Sequence, residues 1–127
     1  MRLIWLVAVS AVVIGSLLPG GSTVLKATAL VHLDDKAQHF LAYAVLAVFP
    51  AWMGSRFEAL AACGKLVALG LVLELLQLFV PGRACELQDG LADLMGVVCG
   101  FAVSAISAAI YSRTRMIRTG ASGGTPA

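Results

Sequence analysis

LELLQLFVPGRACELQDGLADLMGVVCG, residues 73–100, places a polar connection between two long apolar segments. The chain around it is 60% hydrophobic and only 13% charged. An ionisable group at bilayer depth costs about 3 kcal/mol on insertion scales, so such groups normally face a bundle interior or a wet cavity. We therefore interpret the stretch as a helix end, a tight connection and a helix start, with the polar side turned inward. Its polar residues are Glu74, Gln77, Arg83, Glu86, Asp89 and Asp93.

The composition of the whole chain is that of an integral membrane protein, since soluble domains are about 25% charged. A span needs about 20 apolar residues, so 127 residues hold about four spans. We predict an all-α membrane protein, a four-helix transmembrane bundle with spans at about 3–19, 36–54, 59–80 and 89–111. Residues 1–112 form this single domain, and residues 113–127 are predicted to be a disordered cytoplasmic tail.

The helix boundaries follow from local signals. Pro19 ends the first apolar segment, which is either a cleaved signal peptide or, as we favour, a retained helix. Residues 22–35 form a connection, and Asp35 with Gln38 has the pattern of a capping box. The apolar run of residues 40–53 is too short to span alone, so the second helix begins upstream of it. Pro50 is expected to kink that helix.

The distribution of cations predicts the topology, because cytoplasmic loops carry an excess of Lys and Arg. With four spans both termini share a side, and six cations belong to that side against three on the other. We therefore expect both termini in the cytoplasm and the polar stretches at the external leaflet. There they can converge in one pocket, whose predicted ligand-binding residues are Lys36, His39, Tyr43, Glu74, Gln77, Arg83, Asp89 and Asp93.

Gly96 and Gly100 form a small-xxx-small surface on the last helix, which lets another helix approach closely. That helix can belong to the same bundle or to a second copy of the chain, so the sequence leaves the oligomeric state open.

Three motifs carry a family resemblance. D-K-x-x-H-F-x-x-Y at residues 35–43, E-x-x-Q-x-x-x-P-G-R at residues 74–83 and D-x-x-x-D-x-x-G-x-x-x-G at residues 89–100 resemble the VanZ-like membrane proteins. The resemblance covers nearly the whole chain apart from the tail. It implies a multi-pass protein of the bacterial inner membrane with an effect on susceptibility to the glycopeptide teicoplanin. Asp93 departs from the asparagine expected in the family pattern.

Several functions fit the predicted pocket. The first is binding of a lipid-linked or cell-wall precursor, or of a partner in envelope biosynthesis. A second is an enzyme acting on such a precursor, with His39, Glu74 and Asp89 as catalytic candidates, although no known catalytic motif is present. A purely structural ion-pair network and, less favoured, an ion path remain open.

Metals, cofactors and nucleic acid are not predicted partners. Glu74, Asp89, Asp93 and His39 offer oxygen and nitrogen ligands, but no metal-binding spacing supports a site, and we assign none. The net charge of +2 is too small to indicate nucleic acid binding.

Overall fold

Helices account for all regular structure in the described part of the chain. The computed structural model describes residues 2–19, 22, 34–83 and 86–121, except the side chains of residues 51, 53 and 118–121. The helices are α1 (Arg2–Leu17), α2 (Asp35–Val48), α3 (Pro50–Met53), α4 (Arg56–Gln77) and α5 (Leu87–Ala121). The all-helical prediction is thus confirmed over these residues. Most of the predicted connection of residues 22–35 lies outside them.

The long helices alternate in direction. Gln77 at the end of α4 contacts Ser16 at the end of α1, so these two helices run the same way. Trp5 near the start of α1 contacts Leu46 near the end of α2, which therefore runs in the opposite direction. α5 packs along α2, parallel to it. The C-terminal ends of α1 and α4 consequently meet the N-terminal ends of α2 and α5, and we call this region the polar end.

The helix is interrupted at Pro50, where a kink is predicted: α2 ends at Val48 and α3 begins at Pro50, while Phe49 between them keeps helical backbone angles. Proline has no backbone N–H, so the carbonyl four residues earlier, that of Leu46, loses its helical partner. The indole Nε1 of Trp5 donates a hydrogen bond to this carbonyl at 2.9 Å. Two residues further on, the Ser104 hydroxyl donates to the carbonyl of Val48 at 2.7 Å. Side chains of α1 and α5 therefore satisfy the carbonyls at the break.

The small-residue surface of α5 lies against α2, the pair of helices with the most extensive packing in the described chain. A Cβ on Gly96 would overlap the backbone carbonyl oxygen of Phe40, and a Cβ on Gly100 would overlap that of Ala44. The two glycines thus permit a close approach of α2 and α5 within one chain. Gly70 of α4 likewise lies where an added Cβ would crowd neighbouring side chains.

Several helix ends differ by one to three residues from their predicted positions, for example those of α4, which runs Arg56–Gln77 rather than about 59–80. Two differences change the interpretation. The N-cap of α2 is Asp34, whose side chain accepts from the N–H of Asp35, rather than Asp35 itself. This shift by one residue leaves the Asp35 carboxylate available to other partners. α5 continues to Ala121, so residues 113–121 of the predicted disordered tail are helical. Residues 111–119 contain no glycine or proline to stop the helix, and residues 122–127 lie outside the described chain.

Burial is partly inverted relative to a soluble protein, because polar side chains share the interior with an apolar core. The side chains with little exposure include Glu74, Gln77, Asp89, Asp93 and Ser104, whereas many large apolar side chains point outward. Phe57, Phe79 and Leu87, for example, are about four-fifths exposed. Among the described residues, two segments are long and apolar enough to cross a membrane, Arg56–Gln77 and Leu87–Ile117.

Candidate functional site

His39 and Asp93 form the central contact of the polar end. Nδ1 of His39 on α2 lies 3.0 Å from Oδ1 of Asp93 on α5, and both side chains are largely buried. An ionised carboxylate only accepts hydrogen bonds, so Nδ1 carries the proton in this contact. In the neutral ring this tautomer leaves Nε2 as an acceptor or as a metal ligand.

Lys36 lies one turn before His39 and reaches the start of α5. Its Nζ is 3.0 Å from Oε2 of Glu86 and 3.8 Å from Oδ1 of Asp89. The Asp89 side chain is only 6% exposed, and Oδ1 accepts no hydrogen bond from the described residues. A buried carboxylate oxygen without a hydrogen bond is unusual, because its desolvation is then uncompensated.

Glu74 has a structural partner. Its buried carboxylate accepts a hydrogen bond from the backbone N–H of Glu86, directly before α5 begins at Leu87. The first N–H groups of a helix have no partner within the helix, and a carboxylate is favoured near them by the helix dipole. Glu74 therefore ties the end of α4 to the start of α5 across the turn at Gly82, whose φ of 75° suits glycine.

Gln77 and Arg83 both point to the C-terminal end of α1, where backbone carbonyls lack helical partners. The Gln77 amide donates to the carbonyl of Ser16 at 3.1 Å. Arg83 donates to the carbonyls of Leu18 and Gly15, each at 3.4 Å. A cation is also favoured at this end of a helix by its dipole. These two predicted ligand-binding residues consequently hold α1 in place.

Tyr43 is almost fully buried, and its hydroxyl has no hydrogen-bond partner among the described residues. It packs beside Gly70, where an added Cβ would lie 2.7 Å from Oδ2 of Asp93 and 3.2 Å from the Tyr43 hydroxyl. Because Gly70 has no side chain, the Asp93 carboxylate and the Tyr43 phenol can pack against α4 at this position. No sequence pattern marks this glycine, which lies in an otherwise ordinary apolar helix.

A cavity of about 180 Å³ opens between α1 and α2 at the polar end. It contains three of the eight predicted ligand-binding residues, while the other five lie in the packed contacts around it. The cavity is lined by Val12, Gly15, Ser16, Leu18, Asp35, Gln38, His39, Ala42, Tyr43 and Arg83. Polar side chains therefore face an otherwise apolar opening.

Two acidic residues were missed as members of the site. Asp35 was interpreted as a helix cap, yet its Oδ2 lies 3.7 Å from Nη1 of Arg83. Glu86 was recognised as polar but not placed in the pocket, and it is the nearest partner of Lys36. The described polar end thus carries the carboxylates of residues 34, 35, 74, 86, 89 and 93 against the cations of residues 36 and 83. With His39 neutral and all carboxylates ionised, four negative charges are in excess.

The chemistry of this arrangement falls into two parts. Glu74, Gln77 and Arg83 are engaged with backbone groups and fix helix ends. Asp89 and Tyr43 each have a buried oxygen without a hydrogen bond among the described residues, and His39 lines the cavity while its Nδ1 contacts Asp93. Comparisons with family models, with curated proteins and with solved structures found no match for this chain. The site must therefore be interpreted from its own geometry.

Proposed function

We propose that this chain is a multi-pass protein of the bacterial inner membrane in which the four long helices cross the bilayer. The partly inverted burial supports this topology, because large apolar side chains cover the outside while carboxylates and amides are enclosed. An apolar outer surface is favourable where it faces lipid. Ionisable groups in membrane spans normally face the bundle interior.

The opposite end of the bundle supports the proposed orientation. Arg2 in the first turn of α1 and Glu58 in the first turn of α4 line one cavity there, together with Lys65 further along α4. α5 has 35 residues, about 52 Å of helix, whereas a span needs only about 20 residues. Its C-terminal third, with Arg113 and Arg115, therefore extends beyond the bilayer. This concentration of cations supports our proposal that both termini lie in the cytoplasm, because cytoplasmic loops carry an excess of Lys and Arg.

We propose that the polar end, facing outward, binds the headgroup of a lipid-linked or cell-wall precursor. The observation that carries this proposal is the cavity between α1 and α2, open at one end of the bundle and lined by both apolar and charged side chains. Val12 and Ala42 offer apolar contact suited to an acyl chain. His39 offers polar contact suited to a headgroup, beside Arg83, whose guanidinium bonds to carbonyls at the end of α1. The resemblance of the motifs at residues 35–43, 74–83 and 89–100 to VanZ-like proteins supports an envelope role.

The test is native mass spectrometry of the protein from gently solubilised membranes. Gly15 lines the cavity, and a Cβ there would meet no atom within 4 Å, so Gly15→Phe introduces a ring where the ligand is expected. Gly64→Phe is the matched control, because its Cβ is equally unobstructed and it does not line this cavity. An envelope lipid that is retained by the wild type and by Gly64→Phe but lost from Gly15→Phe supports the proposal. Retention of bulk phospholipid alone by the wild type refutes it.

A membrane-embedded enzyme acting on the same class of precursor is the second candidate. The specific observation in its favour is that His39 lines the cavity while Asp93 holds Nδ1, which orients the ring as in acid–base catalysis. Glu74 and Asp89, the other catalytic candidates, do not line the cavity. Purified protein should then convert a lipid-linked precursor, and His39→Gln should abolish turnover while keeping the precursor bound. Absence of turnover across polyprenyl-phosphate and glycan-linked lipids would exclude this candidate.

A further inference from the structure

Asp35, His39 and Asp89 bring three potential metal ligands together at the polar end. One ligand atom from each side chain lies within 4.8 Å of the others. The residues come from the first turn of α2, its second turn and the first turn of α5. The spacing of residues within one segment does not predict this set of three ligands, because their contact depends on the packing of α2 against α5.

The buried carboxylate of Asp89 is an independent indication of a missing partner. Its Oδ1 is enclosed and accepts no hydrogen bond from the described residues, although the side chain is only 6% exposed. The nearest cation, Nζ of Lys36, lies 3.8 Å away and has a closer partner in Glu86 at 3.0 Å. A cation bound to Asp89 would compensate its desolvation in a way that Lys36 does not.

The contact of His39 with the Asp93 carboxylate is typical of a metal-binding histidine. Such histidines almost always donate their second ring N–H to a carboxylate, carbonyl or water, which fixes the tautomer and strengthens the ligand. Here Nδ1 donates to Asp93 at 3.0 Å, and Asp93 is itself buried. Nε2 is thereby left as the nitrogen that can bind a metal.

The charge of the polar end favours a cation as well. Two cationic side chains face six carboxylates at the described polar end, and neither Arg83 nor Lys36 comes within hydrogen-bond distance of Asp35 or Asp89. A divalent ion would neutralise half of the negative excess. The ion would also allow an anionic ligand to bind despite the negative excess, since a bound ion can bridge carboxylates and a phosphate.

We propose that Asp35, His39 and Asp89 bind a divalent transition-metal ion, with Asp93 as the residue that orients His39. One imidazole and two carboxylates match the ligand preferences of Mn²⁺ and Zn²⁺ better than those of Mg²⁺ or Ca²⁺, which prefer oxygen ligands alone. The site reaches the edge of the bundle at the half-exposed Asp35 and the cavity at His39. It stands on its own geometry and does not require the proposed lipid ligand.

The test is titration of the full chain in detergent with Mn²⁺ alone, after treatment with a chelator, followed by electron paramagnetic resonance of the free ion. We expect one Mn²⁺ per chain with a Kd below about 10⁻⁴ M, tighter than the weak end of protein cation sites, and competition by Zn²⁺. His39→Ala and Asp89→Asn should each weaken binding at least about tenfold. Asp93→Asn should weaken it about 10- to 100-fold through the orientation of His39.

Adjacent carboxylates provide a control that does not depend on buried substitutions. Asp35→Asn removes a proposed ligand at a half-exposed position, and Asp34→Asn removes the neighbouring charge while keeping an equally good N-cap. Binding should weaken in the first variant and not in the second. No binding by the wild type up to about 1 mM, or equal loss in both variants, would overturn the proposal. A metal-binding wild type without a specific lipid would refute the lipid proposal alone.

Discussion

Replacing Gly100 by alanine tests the close packing of α2 on α5. The new Cβ would overlap the carbonyl oxygen of Ala44 and lie 2.8 Å and 3.0 Å from the C and Cα atoms of that residue. Carbon atoms in favourable contact are about 3.5–4.0 Å apart. The obstacle is backbone rather than a side chain that can rotate away, so α2 must shift relative to α5.

The magnitude follows from two opposing effects. Overpacking a close contact costs about 1–3 kcal/mol, while alanine in place of glycine in a helix stabilises by about 0.5–1 kcal/mol. Gly64→Ala is the matched control, because a Cβ there meets no atom within 4 Å. The helix preference contributes to both variants, so their difference in unfolding free energy isolates the packing cost, and we expect about 1–3 kcal/mol.

The assay is reversible unfolding in mixed micelles by titration with a denaturing detergent, monitored by circular dichroism. Gly64→Ala should be slightly more stable than the wild type, and Gly100→Ala should be less stable. Gly96→Ala should behave like Gly100→Ala, because its Cβ would overlap the carbonyl oxygen of Phe40. Equal stabilisation by all three substitutions would refute the packing of α2 on α5 described here.

Three further substitutions test individual hydrogen bonds in the same assay. Gln77→Leu removes the amide that bonds to Ser16, so the protein should lose about 1–2 kcal/mol and hydrogen exchange at the end of α1 should accelerate; unchanged exchange would contradict the role of Gln77. Trp5→Phe leaves the Leu46 carbonyl unsatisfied and should cost about 1 kcal/mol, and no loss would show that the break in α2 needs no donor from α1. Ser55→Ala removes the N-cap of α4 and should cost about 1 kcal/mol, whereas Ser55→Asp should retain most of the stability.

The sequence was sufficient for the helices because each one is marked locally. Apolar runs define the bodies of the helices, and Pro81 with Gly82 marks the end of α4, where the positive φ of Gly82 turns the chain. Lys36, His39 and Tyr43 lie three and four positions apart, so helical periodicity alone predicts that they share one face of the helix. These signals involve residues at most four positions apart, which is the range over which a sequence pattern reports on geometry.

The partners of the polar residues were not predictable in the same way. Arg83 was predicted to bind a ligand, but its hydrogen bonds go to the C-terminal end of α1, 65 and 68 residues away in the sequence. Asp35 lost its predicted capping role because the helix begins one residue earlier, a shift within the usual uncertainty of helix ends. Such contacts depend on the order in which the helices pack, and no local pattern encodes that order.

The two sets of residues at the polar end should respond differently to conservative substitution. Glu74 and Arg83 satisfy backbone groups at helix ends, so Glu74→Gln and Arg83→Lys should first reduce the abundance of the protein in the membrane. His39 and Asp35 contact the cavity and have bonding capacity that the fold does not use, so their substitution should impair ligand or metal binding at normal abundance. Comparing abundance with binding for each variant therefore separates the contacts that hold the bundle together from those available to a ligand. If every variant lost both together, the polar end would be a single structural network, and the ligand-binding proposal would fail.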